Sequence, residues 1–234
     1  MCRILAIKNF SKKKHNNIVN NFIKLALTGK VPKNNPPGHL DGWGVGYYKN
    51  THPELYKSAN SILDELDIFN KIIDKINITK ILLIHLRKSA WENTNYIDNS
   101  HPFLYKNLIF AHNGTIFNYR DLTHYININK TSLRKKLDSE IFFYLIISYF
   151  IETKKLETSI LKAVNTIKQH CNYSSLNCVI ADGKRVFIYR DYTKEPRYYT
   201  LYTAKFGNST IICSEIIDVN LHWKLLKQNE LLII

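Results

Sequence analysis

The second residue of the chain carries the group with the clearest chemical use. Removal of Met1 would make Cys2 the N-terminal residue, with a thiol and a free α-amine side by side. An unperturbed terminal amine titrates at about 7.7–8.0 and a cysteine thiol at about 8.5, so the amine can take the thiol proton near neutral pH. A nucleophile beside a base is the arrangement that activates cysteine for acyl transfer. The alternative is a small residue that follows the initiator by chance and is buried in a strand.

Two further motifs offer groups that could hold a substrate. His85-Leu86-Arg87 ends an apolar run that is typical of a buried strand, and a guanidinium there can bind a carboxylate through two parallel hydrogen bonds. The alternative is an arginine exposed to solvent at the strand end. Asp138 opens an apolar helix. Its carboxylate could bind an ammonium group, or it could only cap the helix.

Two polar segments could complete such a site. His112-Asn113-Gly114 follows a short strand, where a carboxamide and a glycine N–H can both donate to one point. Acyl transfer needs such an oxyanion hole because negative charge develops on the carbonyl oxygen. The alternative is a type I′ turn, for which Asn-Gly is favoured. Asn99–Phe103 contains His101 in a loop that enters a strand, and its alternative is a turn with a hydrogen-bonded histidine.

These groups together describe one substrate. An arginine suits a carboxylate, an aspartate suits an ammonium group, and a thiol with an oxyanion hole suits an acyl group to be cleaved. Glutamine, or another γ-glutamyl compound, has all three features.

Composition limits the other classes of function. The chain has 234 residues, 45% apolar and 22% charged, which is ordinary for a globular protein. Its formal charge is +14, from 33 basic and 19 acidic residues, which raises the question of nucleic acid. The basic residues are spread in ones and twos, however, and the only dense run is Lys12–His15. We therefore expect no nucleic-acid partner.

The cysteines and apolar runs point to a reducing compartment. Cys2, Cys171, Cys178 and Cys213 show neither metal-ligand spacing nor a disulfide-rich pattern, so we expect no metal and no cofactor. Arg3 interrupts the short N-terminal apolar run, which argues against a signal peptide. No stretch has 18 apolar residues, so we expect no membrane partner and a cytoplasmic location.

Periodicity predicts an α+β protein with helices stacked on mostly antiparallel sheets. The expected strands are Arg3–Phe10, a glycine-rich strand within His39–Tyr48, Pro53–Ser58, Lys80–Leu86, Leu108–Ala111, Leu176–Ala181, Arg185–Arg190, Arg197–Ala204, Thr210–Cys213 and Leu231–Ile234. The expected helices are Ile18–Leu27, Ser61–Ile76, Asn118–Tyr125, Asp138–Glu152 and Leu156–His170. Residues 33–38 and 91–102 are expected to be loops. Without repeats or a Pro/Gly-rich linker, residues 1–234 are expected to form one domain.

Three glycines in the second expected strand are spaced at every other position. Gly42, Gly44 and Gly46 would lie on one strand face, where missing side chains favour close approach of another backbone or a ligand. Tight packing of two sheets without a ligand is the alternative.

The ordered motifs resemble those of a known family. Met-Cys-Arg, DGWG, HLR, N-x-HPF, HNG and LDSE occur in this order from Cys2 to about Ser139, and a weaker echo, Cys213-Ser214-Glu215, follows. The set is similar to the class II glutamine amidotransferases of the N-terminal nucleophile hydrolase superfamily, and most similar to small stand-alone types. The resemblance implies a four-layer αββα sandwich.

The resemblance also implies roles for single residues. Cys2 would be the nucleophile, with its own amine as the base, and Asn113 and Gly114 would form the oxyanion hole. Arg87 would bind the substrate α-carboxylate, Asp138 its α-ammonium group, and His101 would line the pocket. Two departures concern the pocket wall. Lys88 and Ser89 stand where some relatives have Trp and Thr, and Leu137 stands where Ser or Thr is common.

The sequence thus predicts an enzyme that hydrolyses the γ-amide of glutamine or of a γ-glutamyl compound through a thioester on Cys2. The expected partner is that small-molecule substrate, and a synthase protein could receive the ammonia. The alternative from another class is a non-catalytic basic binding protein that kept the fold.

Overall fold

The computed structural model describes residues 2–32, 35–90, 94–128 and 137–234. The strands are β1 (Arg3–Ser11), β2 (Trp43–Lys49), β3 (His52–Ser58), β4 (Ile78–Leu86), β5 (Phe103–Tyr105), β6 (Leu108–Asn113), β7 (Asn177–Ala181), β8 (Val186–Arg190), β9 (Tyr202–Phe206), β10 (Ser209–Cys213), β11 (Trp223–Leu225) and β12 (Glu230–Ile233). The α-helices are α1 (Lys12–Thr28), α2 (Leu66–Ile76), α3 (Asp138–Thr153) and α4 (Leu156–His170). Short 3-10 helices span Ile97–Asn99 and Tyr119–Tyr125.

The strands form two antiparallel sheets. The order of the seven-stranded sheet is β11-β9-β10-β1-β4-β2-β3, and that of the five-stranded sheet is β12-β8-β7-β6-β5. Three apolar clusters separate four layers. One cluster joins α1 and α2 to the first sheet, one joins α3 and α4 to the second, and one lies between the sheets. The predicted α+β fold, a four-layer αββα sandwich, is confirmed.

The central strand β1 shows why its sequence is continuously apolar. Leu5 and Ile7 pack in the cluster with α1 and α2, while Ile4 and Ala6 pack in the cluster between the sheets. Successive side chains of a strand point to opposite faces, so a strand covered on both faces must be apolar at every position.

Strand pairing brings the expected site residues to one end of the molecule. β1 lies between β4 and β10, with Arg3 opposite Leu86 and Leu5 opposite Cys213. The start of β1, which follows Cys2, therefore lies beside the end of β4, which precedes Arg87. In the other sheet β6 ends at Asn113 opposite Asn177 of β7.

The glycine-rich strand approaches another backbone at Gly44. A Cβ at this position would lie 2.2 Å from the carbonyl oxygen of His101, which is far too close for any side chain. The expected close approach of a backbone is thus what the structure shows. Gly42 lies before β2 rather than within it, so the three glycines do not all share the strand face.

Several predicted boundaries were wrong for identifiable reasons. Helix α1 begins at Lys12 instead of Ile18, because only His15 of the basic run Lys12–His15 is buried and the apolar period is hidden there. Helix α2 begins at Leu66 instead of Ser61, since a turn precedes it. The strand expected at Arg197–Ala204 begins at Tyr202. The N–H groups of Tyr198 and Tyr199 instead donate to Glu195 in a turn.

Two smaller differences concern loops and a short strand. Residues 33–34 and 91–93 of the expected loops lie outside the described residues. Strand β11 was not predicted, because three residues are too few to show a period of two.

Candidate functional site

Cys2 lies at the start of β1, in contact with the end of β6. Its nitrogen donates a hydrogen bond to Oδ1 of Asn113, at 3.1 Å, and its thiol lies 3.7 Å from the carbonyl oxygen of Lys88. Only 9% of Cys2 is exposed. This nitrogen is a peptide nitrogen while Met1 is attached, and it would be the α-amine once Met1 is removed; Met1 itself lies outside the described residues.

Asn113 is completely buried and only half satisfied. Because the nitrogen of Cys2 is a donor, the oxygen of the Asn113 amide must face it, and Nδ2 points elsewhere. Among the described residues Nδ2 has no hydrogen-bond partner. A buried donor without an acceptor costs about 1–3 kcal/mol, so Nδ2 remains able to donate a further hydrogen bond.

Gly114 follows Asn113 where no side chain could fit. A Cβ would lie 1.9 Å from the carbonyl oxygen of Ser175. Asn113 belongs to β6 and pairs with β7, so the alternative in which Asn113 and Gly114 form a hairpin turn is wrong.

Arg87 is buried rather than exposed at its strand end, with 5% of its surface accessible. Its guanidinium donates to the carbonyl oxygen of Asp41 and to Asn95 Oδ1, both at 3.0 Å, and to Ser89 Oγ and Thr94 Oγ1 at 3.2 and 2.9 Å. All four acceptors are neutral. These contacts do not neutralise the positive charge of Arg87, but they use all four hydrogens of its terminal nitrogens, so a carboxylate can bind both of these nitrogens only by displacing some of the four acceptors.

Asp138 is the first residue of α3 rather than its cap. The N-cap position is Leu137, which makes no side-chain cap, so Asp138 is not the N-cap residue, although its carboxylate accepts hydrogen bonds from the N–H groups of Ser139 and of Asp138 itself in the first turn. Its Oδ2 accepts a hydrogen bond of 2.9 Å from the N–H of Ile116. Burial raises the pKa of Asp138 to about 6, although that N–H and the positive charge of Arg87 act to lower it. A buried carboxyl group whose pKa is raised towards neutral pH is typical of functional sites.

Three buried histidines lie beneath these groups. The rings of His85 and His101 are 4.3 Å apart, and burial lowers the pKa of both well below its usual value. Neither ring nitrogen of His101 has a partner among the described residues. His112, whose pKa burial lowers to about 4, is hydrogen-bonded to Ser139 Oγ at 2.9 Å and to the carbonyl oxygen of Ser175 at 3.0 Å. It thereby ties the end of β6 to the start of α3.

One cavity joins most of the expected residues. Five of them line it: Cys2, Arg87, His101, Gly114 and Asp138. The sixth, Asn113, is not among the lining residues, but it accepts a hydrogen bond from the nitrogen of Cys2, which is one of them. The volume of the cavity is about 40 Å³, of the order of the space that one water molecule takes up in the liquid. The departures from the family pattern, Lys88, Ser89 and Leu137, line the same cavity.

Comparison with known proteins agrees with this geometry. A family model described as "Glutamine amidotransferases class-II" matches residues 1–234. The chain belongs to the class II glutamine amidotransferase family. An uncharacterised protein of Methanocaldococcus jannaschii is 30% identical to this family member over 205 residues, which are 82% of the chain and 51% of that protein. The chain thus spans about half the length of that relative.

Two solved structures share the amidotransferase fold. The class II glutamine aminotransferase domain protein of Silicibacter pomeroyi superposes with a TM-score of 0.67 at 16% identity, covering 99% of this chain and 94% of that one. The glutamine phosphoribosylpyrophosphate amidotransferase of B. subtilis superposes with a TM-score of 0.71 at 16% identity, covering 99% of this chain and 47% of that one. At this identity the likeness concerns the fold alone.

The sequence did not reveal the contacts that support this candidate site. The backbone carbonyl of Lys88 accepts a hydrogen bond from the Cys2 thiol, and the hydroxyl of Ser139 is hydrogen-bonded to His112. No pattern in the sequence indicates either contact. The echo Cys213-Ser214-Glu215 was a signal, because Glu215 forms an ion pair with Arg3, the residue after Cys2. Within the described ranges, no group of three or more His, Cys, Asp or Glu side chains could hold a metal ion. No helix in the part of the chain that the structure describes is long and apolar enough to cross a membrane.

Proposed function

We propose that this chain hydrolyses the γ-amide of glutamine or of a γ-glutamyl compound, with Cys2 as the nucleophile. The observation that carries the proposal is the Asn113 amide. Its oxygen holds the nitrogen of Cys2 while its buried Nδ2 has no acceptor within the described residues. One side chain thus orients the base and leaves a donor for the oxyanion beside the thiol.

The proposed reaction begins with proton transfer from the thiol of Cys2 to its own α-amine. The thiolate attacks the γ-carbonyl carbon, and the oxygen gains negative charge that Nδ2 of Asn113 and the N–H of Gly114 stabilise. The ammonium returns its proton to the leaving nitrogen, ammonia or an amine departs, and a thioester remains. Water, deprotonated by the same amine, attacks the thioester and releases glutamate and the free thiol.

Arg87 and Asp138 support the choice of an α-amino-acid substrate. Both are buried, both line the cavity of Cys2, and they carry opposite charges at separate places in its wall. We propose that the guanidinium binds the α-carboxylate, the Asp138 carboxylate binds the α-ammonium group, and His101 packs against the substrate. A non-catalytic binding protein would have no need of an activated cysteine and an oxyanion donor in this arrangement.

The fate of the nitrogen is a further part of the proposal. The B. subtilis neighbour is named for transfer to phosphoribosylpyrophosphate, and this chain covers 47% of it. A separate synthase protein could receive the ammonia from this chain, or water alone could complete a simple hydrolysis.

Glutamate release from glutamine and from γ-glutamyl peptides tests the proposal, with acid-quenched mass spectrometry to detect the acyl group on Cys2. A chain with Met1 removed that releases no glutamate and forms no acyl adduct with any of these substrates would overturn it.

A further inference from the structure

Arg3, the residue after Cys2, is fully buried and contacts the backbone around the nucleophile. One terminal nitrogen donates to the carbonyl oxygen of Cys2 at 2.9 Å, and the other donates to the carbonyl oxygen of Lys30. Nε forms an ion pair with Glu215, and the guanidinium carbon lies 4.6 Å from the centre of the Tyr198 ring. These four contacts hold the Arg3 side chain in one position.

Glu215 ties this arginine to the neighbouring strand. It is 8% exposed, and its Oε1 also accepts the N–H of Lys30 at 2.8 Å. The preceding residue, Ser214, exchanges two hydrogen bonds of 3.0 Å with the backbone of Ile4. The segment after β10 is therefore locked against the first residues of β1.

Stability alone does not account for this pair. Removing two charges from water is costly, and apolar side chains of similar volume are often equally stable or more stable in the same place. The contact with the Cys2 carbonyl suggests a different use. Once Met1 is removed, Cys2 is covalently attached only through its carbonyl carbon, and the plane of that peptide fixes the position of the Cα atom from which its amine and thiol project.

We propose that Arg3 and Glu215 are positioning residues for the reaction of Cys2, an inference that rests on the proposed function. Three contacts hold Cys2: its nitrogen at Asn113, its thiol at Lys88 and its carbonyl oxygen at Arg3. The first two involve the reacting groups and must change during catalysis. The third involves no reacting atom, so it can hold the residue in one orientation throughout the cycle.

The test replaces both charges with apolar side chains of similar size, in the double variant Arg3→Met/Glu215→Leu. Arg3→Lys is made as well, since it keeps the ion pair but has one nitrogen where arginine has three. Lys168→Met is the matched control, because it removes a 3.0 Å ion pair to the buried Asp191 that touches none of the site residues. Intact mass verifies that Met1 is absent from each protein.

We expect the double variant to keep its melting temperature and its KM for glutamine while kcat falls on the order of 10- to 100-fold, the loss expected from a misplaced reacting group. The rate of Cys2 alkylation by iodoacetamide, followed by peptide mass, should change its pH profile. Arg3→Lys should show the same changes, and Lys168→Met should show neither.

Wild-type kcat and an unchanged alkylation profile in a folded double variant would overturn the inference, as would full rescue by Arg3→Lys. If the double variant fails to fold, Arg3→Lys decides alone. A wild-type protein that releases no glutamate from glutamine or from any γ-glutamyl compound would defeat the proposed function, whereas the alkylation profile would still test the positioning of Cys2.

Discussion

The side-chain oxygen of Asn113 accepts a hydrogen bond from the nitrogen of Cys2 at 3.1 Å, which joins the two sheets at the candidate site. The contact fixes the orientation of the amide, and the proposed mechanism assigns the remaining donor, Nδ2, to a substrate oxygen. In the proposed mechanism the oxygen of the Asn113 amide orients the nitrogen of Cys2 and its Nδ2 donates to the oxyanion. The mechanism therefore depends more on Asn113 than on any other supporting residue.

Asn113→Ala should lower kcat by about 10²–10³, the usual cost of losing one oxyanion donor. Asn177→Ala is the matched control, because Asn177 lies opposite in β7, is equally buried and also has an Nδ2 without a partner among the described residues. Steady-state kinetics and melting temperatures of both variants check the prediction. A similar loss of kcat in the two variants would mean that the effect is one of packing.

Cys2→Ala should abolish glutamate release and leave the fold intact, since Cys2 lies outside the three apolar clusters. Cys178→Ala should behave in the opposite way. Its thiol is part of the cluster with α3 and α4, and burial raises its pKa, so it is an unreactive packing group. Activity and thermal unfolding measured side by side distinguish the two, and residual activity in Cys2→Ala would rule out the nucleophile.

Processing of the N-terminus should control activity. A tag that cannot be removed from the N-terminus leaves Cys2 with an amide nitrogen, which has no proton-accepting lone pair, and the protein should be inactive. A C-terminal tag follows the edge strand β12 and should be tolerated. Specific activities of the two proteins, with intact masses, provide the measurement; equal activities would contradict the role of the α-amine.

Arg87→Lys should reduce kcat/KM at least tenfold. A charge-assisted contact is worth roughly 1.5–3 kcal/mol, and about 1.4 kcal/mol corresponds to a factor of ten. Lysine keeps the charge but cannot reproduce the four hydrogen bonds that hold the guanidinium in place. Kinetics on glutamine test this, and glutamine analogues that lack the α-carboxylate serve as the control because their kcat/KM should change little.

Asp138→Asn should impair the use of substrates with a free α-amine and should matter much less for N-acetylglutamine, which the wild type should use poorly. Because the pKa of Asp138 is raised to about 6, its charged form is present above that pH. Wild-type kcat/KM should therefore fall as the pH drops below about 6, and the variant should lack this dependence. A variant with unchanged kinetics on both substrates would remove Asp138 from the site.

The same substitution has an expected sign for stability. A carboxyl group with a pKa of 3.8 when unfolded and about 6 when folded binds its proton more tightly in the folded state. The contribution of this group to the free energy of unfolding is fully present below about pH 4. It is lost as the pH rises through 6, which lowers the free energy of unfolding by up to about 3 kcal/mol. Asp138→Asn should therefore raise the melting temperature more at pH 8 than at pH 4. An effect of the opposite sign would mean that Asp138 is ion-paired in the folded protein.

Sequence patterns located the candidate site residues better than the contacts that hold these residues in place. Asn113, Arg87 and Asp138 stand at the ends of strongly apolar segments, where the local pattern locates them. The contact between Arg3 and Glu215 joins residues from opposite ends of the chain, and no local period records such a pair. The start of helix α1 could not be predicted for a similar reason. Its first turn is basic and shows no apolar period, and packing of the helix against the sheet stabilises it.

Gly44 sets how closely the two sheets approach each other near the candidate site. Cys2 and Arg87 belong to one half of the sandwich, whereas Asn113 and Asp138 belong to the other. The missing side chain at Gly44 lets the backbone of His101 touch β2, and a single methyl group there would act as a wedge. Such a methyl group would push the backbone of His101 away from β2 and increase the distance between Cys2 and Asn113, the proposed nucleophile and the proposed oxyanion donor.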